Sequence, residues 1–69
     1  MLISLLILPG SGQRDVTLPV GSTIRSLVTA QNLQGRQIVV NGETVPEASF
    51  GRALVSGDEV AALASVKGA

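Results

Sequence analysis

The chain contains no cysteine and no histidine. That excludes disulfides, thiolate metal sites and any side chain with an unperturbed pKa near neutrality. Tryptophan and tyrosine are missing as well, and Phe50 is the single aromatic residue. Five basic and five acidic residues balance to a formal charge of zero, with no basic run. A nucleic-acid interface draws on clustered cations and stacking aromatics, and neither is present. The longest apolar run, Leu2 to Leu8, is broken by Ser4 and is far too short to span a bilayer. It also lacks the basic start and the length of a secretory signal, so a cytoplasmic location is expected.

What is present is aliphatic. Hydrophobic residues make up 45% of the 69 positions, enough for one small domain whose stability must come from packing leucine, valine, isoleucine and alanine. A chain of this size buries only about 60% of its unfolded surface, so little of that packing is spare.

Catalytic chemistry finds no support. The hydroxyls of Ser4, Ser11, Ser22, Ser26, Ser49, Ser56 and Ser65 have no histidine base to activate them, and no thiol nucleophile exists. Asp58-Glu59 is the only adjacent acid pair, and after Gly57 it reads as turn chemistry instead of a dyad. Gly10-Ser11-Gly12-Gln13 has the glycines of a phosphate loop but no lysine, and it leads into a strand instead of opening a helix. No catalytic residue, metal ligand or cofactor is expected of this chain.

The local pattern gives the element order β-β-α-β-β-β. Leu2 to Leu8 is strand-length and ends at the breaker cluster Pro9-Gly10-Ser11-Gly12. Arg14 to Leu18 alternates polar and apolar, the mark of a strand with one wet face. Ser22 or Thr23 can cap a helix in which Ile24, Leu27, Val28 and Gln31 fall on one stripe. Asn32 or Gly35 can end it in a left-handed conformation. Asn41-Gly42 joins Gln37–Val40 to Glu43–Val45 in a tight hairpin, because a type I′ turn needs φ > 0 at both central positions. Pro46 confines the second of these strands to an edge. Glu47 to Ala53 reads as irregular or a single helical turn, and Val60 to Val66 as the last strand. One helical stripe covers one sheet face, which predicts a two-layer α+β domain over residues 1–66 and a flexible tail over 67–69.

Strand alternation assigns Ile3, Leu5 and Ile7 to one face and Leu2, Ser4, Leu6 and Leu8 to the other. With Val60 and Ala62 toward the helix, Ala61 and Leu63 join Leu6 on the uncovered side. An uncovered apolar patch marks a partner surface more often than a polar one does. Phe50 reads as a structural plug in the core.

The C-terminal half resembles the β-grasp sulfur carriers, the ThiS-type carrier of thiamine biosynthesis and the small subunit of molybdopterin synthase. That family has a hydrophobic-Asn-x-x-x-Val-Pro run, a following aromatic, Gly-Asp before the last strand and a terminal Gly-Gly. The matching residues here are Asn41, Val45-Pro46, Phe50 and Gly57-Asp58, whereas the terminal pair is Gly68-Ala69. The resemblance implies a β-grasp fold with a mixed four- or five-stranded sheet, its first and last strands parallel and central. It also implies a protein cosubstrate, not an enzyme, whose terminal carboxylate is adenylated and then thiocarboxylated. The implied partners are an ATP-dependent activating enzyme and a sulfur-accepting synthase, with the free protein a monomer. Gly68 and Ala69 would be the attachment point, and Leu6, Ala61, Leu63 and Lys67 would meet the partner. Ala69 departs from the pattern: its methyl crowds a carboxylate that the family carries on glycine. Three readings follow: an engineered or natural variant that charges poorly, a residue removed to expose Lys67-Gly68, or a β-grasp adaptor that is never charged. A modifier forming isopeptide bonds through its tail is a further possibility.

Overall fold

A computed structural model describes residues 1–10 and 12–64. Its elements are β1 (Leu2–Leu8), β2 (Gly12–Thr17), α1 (Ile24–Gln31), β3 (Gln37–Val40), β4 (Glu43–Val45), a 3-10 turn (Glu47–Ser49) and β5 (Glu59–Leu63). The strands form one five-stranded sheet in the order β2-β1-β5-β3-β4. β1 and β5 run parallel at the centre, and the other neighbours are antiparallel. This is the mixed sheet with one helix that the sequence predicts.

The helix begins where expected for a chemical reason. The Thr23 hydroxyl accepts the Ser26 N–H at 3.1 Å, satisfying a first-turn donor that has no partner within the helix. It ends at Asn32, whose φ of 63° is left-handed and whose N–H returns to the last turn. Ile24, Leu27 and Val28 are the buried stripe. They pack with Ile3, Leu5, Ile7, Ile38, Val40, Val60 and Ala62 from the facing side of the sheet. Phe50 closes this core, 8% exposed, with the Arg25 guanidinium 5.9 Å from its ring centroid.

The hairpin turn has positive φ at both central residues, 52° at Asn41 and 84° at Gly42, as the Asn-Gly pair requires. β4 sits at the sheet edge, ahead of Pro46. The second strand runs Gly12–Thr17, against Arg14 to Leu18 read from the sequence, and the last runs Glu59–Leu63, against Val60 to Val66. Ala64 lies outside the last strand, beside the end of the neighbouring β1 at Leu8 before Pro9, and the part of the expected strand over 65–66 lies outside the described residues. The final link there is the Ala64 N–H to the Leu8 carbonyl, 2.9 Å. The second strand starts at Gly12 instead of Arg14, since Gly12 and Gln13 still have Ile7 and Leu6 to pair with. The expected domain end at 66 and the tail over 67–69 lie outside the described residues.

Candidate functional site

The sheet face opposite the helix carries no covering element among the described residues. Strand registers place its side chains in rows. One row crosses the sheet as Gln13, Leu6, Ala61, Val39 and Thr44. The next, toward the end of β5, is Leu8, Leu63 and Gln37. Leu6, Val39, Ala61 and Leu63 are half-buried by their neighbours, while Leu8 remains 46% exposed. The result is a continuous aliphatic strip across the three strands β1, β5 and β3, bordered by Thr44 of β4. A shallow concavity of about 340 Å³ opens over it, lined by Leu6, Val39, Ala61 and the polar Ser4, Gln13 and Glu59.

Charge gives this face a polarity. Asp15, Ser4 and Glu59 form the row at the start of β5, so both carboxylates lie at that end. At the other end the Arg36 guanidinium donates to the Leu8 carbonyl at 3.1 Å. Ala64, the last described residue, is tied to that same carbonyl. β5 therefore ends beside Leu8, at the end of the aliphatic strip nearest Arg36.

Leu6, Ala61 and Leu63 are brought together on the open face. Lys67, Gly68 and Ala69 lie outside the described residues. Val39 and Gln37 belong to the same face and were not singled out from the sequence. The signal was available: with Ile38 and Val40 committed to the core, alternation sends Gln37 and Val39 outward.

A second arrangement shapes the far end of the strip. Asp58 is 8% exposed, and its two carboxylate oxygens accept the Asn41 side-chain amide at 3.0 Å and the Val55 N–H at 2.9 Å. Asn41 in turn accepts the Glu59 N–H at 2.9 Å through its side-chain oxygen. The pair is structural: it locks the β3–β4 turn onto the turn that starts β5. Among the described residues, no three His, Cys, Asp or Glu side chains converge on a possible metal site, and no helix is long and apolar enough to cross a membrane.

This architecture is the β-grasp fold. Solved structures of similar shape include SAMP1 from Haloferax volcanii, with a TM-score of 0.72 at 20% identity, each chain covered over 100% of its length. A crystal structure of H. volcanii small archaeal modifier protein 1 superposes with a TM-score of 0.70 at 20% identity, covering 94% of this chain and 98% of that one. Comparison with protein-family descriptions and with curated protein sequences finds no match.

Proposed function

We propose that the chain is a ubiquitin-like carrier or modifier protein, a cosubstrate that other enzymes charge at its C-terminal carboxylate. The observation that carries this reading is that β5 ends beside Leu8, at one end of the open aliphatic strip, with Ala64 bonded to the Leu8 carbonyl. A partner seated on Leu6, Val39, Ala61 and Leu63 would receive the following segment directly into its own site. Likeness in fold to a small archaeal modifier protein supports the same kind of role.

In this reading the carboxylate attacks the α-phosphorus of ATP and pyrophosphate leaves. A persulfide sulfur held by the partner then displaces AMP to give an acyl disulfide, and a second partner thiol attacks the partner-side sulfur, forming a disulfide and releasing the thiocarboxylate. Beyond that carboxylate the chain has no thiol nucleophile and no histidine base, so the sulfur chemistry falls to the partner. The partners are an ATP-dependent activating enzyme and a sulfur-accepting synthase.

Intact-mass analysis tests this after incubation with ATP, a persulfide donor and an activating enzyme of the thiamine or molybdopterin type. Replacement of one oxygen by sulfur supports the carrier. An unchanged mass for both this protein and its Ala69→Gly variant, with binding to the enzyme retained, favours the second reading. That reading is a non-conjugating β-grasp adaptor, and it draws on alanine at position 69 where the carriers have glycine.

A further inference from the structure

The two edges of the sheet are treated differently. β4 is three residues long and is followed by Pro46, which has no N–H to offer, so that edge is blunt. β2 is six residues long and contains no proline and no lysine. Its free side is open among the described residues.

Hydrogen-bond alternation identifies the unpaired groups. Met1 and Leu18 exchange both backbone bonds, at 2.6 and 2.8 Å. From that pair the antiparallel ladder alternates, so Val16, Arg14 and Gly12 bond to β1. The N–H and C=O groups of Gln13, Asp15 and Thr17 then point away from it. The side chains are equally ordered. Val16 is half-buried against the core on the helix side, and Arg14 donates to the Gln31 side chain on that side. Asp15 lies on the open side, opposite Ser4. Among the described residues the one ion pair is Arg52 with Glu43, so Arg14 and Asp15 have no charge partner there.

A second copy fits this edge poorly. When two β2 strands pair antiparallel about a two-fold axis perpendicular to the sheet, each residue faces one on the same side of the sheet. The two registers with the greatest overlap then place Arg14 opposite Arg14, or Asp15 opposite Asp15. Like charges directly opposite destabilise a ladder, which protects the edge against its own kind. A different strand can satisfy it.

We propose that the free edge of β2 is a strand-addition site for an extended segment of another protein, antiparallel to β2 and reading apolar–basic–acidic. The apolar residue packs beside Val16, the basic residue faces Asp15 and the acidic residue faces Arg14. Backbone pairing with Gln13, Asp15 and Thr17 supplies the affinity, and these three side-chain positions supply the selectivity. The site is separate from the aliphatic strip and stands whether or not the chain is ever charged at its C-terminus.

Titration of the isotope-labelled protein with the peptide Thr-Val-Lys-Glu-Thr-Val, capped at both ends, tests this by amide NMR. Saturable shifts should map to Gly12–Thr17 and the facing side of α1. The charge-swapped peptide Thr-Val-Glu-Lys-Thr-Val should bind about tenfold more weakly, as two cross-strand pairs turn from attractive to repulsive. The double variant Arg14→Glu, Asp15→Lys should reverse that preference, and both side chains are exposed, so folding is preserved. The proposal is overturned by equal binding of the two peptides, by no saturable shift, or by shifts centred on Leu6, Ala61 and Leu63. Sedimentation showing a dimer whose interface shifts map to β2 overturns it too.

Discussion

Asn41 donates its side-chain amide to the buried carboxylate of Asp58 at 3.0 Å, joining two turns that lie 17 residues apart. Each partner makes a further bond to backbone: Asp58 accepts from Val55 and Asn41 accepts from Glu59. The Asn41 N–H closes the network onto the Glu59 carbonyl at 2.7 Å. Four bonds therefore fix where β5 begins relative to the β3–β4 hairpin, and so fix the register of the open face.

Removing one partner should cost more than the bond alone, because the other is left unsatisfied. Asp58→Ala strands the Val55 N–H and the Asn41 amide, and a loss of about 1–3 kcal/mol is expected. Urea unfolding measures it. The double variant Asn41→Gly, Asp58→Ala should lose less than the sum of the two single variants, since the two residues share a bond. Strict additivity would show that the network contributes nothing as a unit.

Leu27 is 1% exposed at the middle of the helical stripe. Leu27→Ala should destabilise the fold by about 2–5 kcal/mol through lost burial and a residual cavity. In so small a domain that is a large share of total stability. A denaturation midpoint equal to that of the parent would contradict this packing.

Leu63 pairs with Leu8 and Gln37 on the uncovered side of the sheet. Leu63→Asp should leave the circular dichroism spectrum and cooperative unfolding intact while abolishing binding to an activating enzyme, measured by calorimetry. Global unfolding would make Leu63 a core residue. Undiminished binding would move the partner surface elsewhere.

Much of this fold was legible in the sequence because its signals are local. Alternation in Leu2–Leu8, the Thr23 cap, the Ile24–Leu27–Val28 stripe and Asn41-Gly42 each report on a few consecutive residues. The face bearing Leu6, Ala61 and Leu63 followed from the same alternation. What was not legible depends on pairing across the chain. Ala64 continues the apolar run of the last strand in sequence, but Pro9 ends the neighbouring strand and Ala64 falls outside the ladder. Asn41 and Asp58 stood out in the sequence as separate turn and family-motif residues, not as partners of one another. Their bond exists because β3 and β5 are neighbours, a fact of topology and not of spacing. The β2 edge was likewise invisible until the strand order showed that it has no outer neighbour among the described residues.

The central claim is that this protein presents its C-terminal carboxylate to an enzyme docked on the open face. ATP–pyrophosphate exchange measures it most directly, using an activating enzyme of the thiamine or molybdopterin type and three proteins: the parent, Ala69→Gly, and Ala69→Gly combined with Leu63→Asp. The account predicts weak exchange with the parent, because the alanine methyl crowds the reacting carbon, a clear rise with glycine, and loss of that rise when Leu63 carries a charge. Exchange that stays at background with the glycine-ended protein, or that survives Leu63→Asp undiminished, would contradict it.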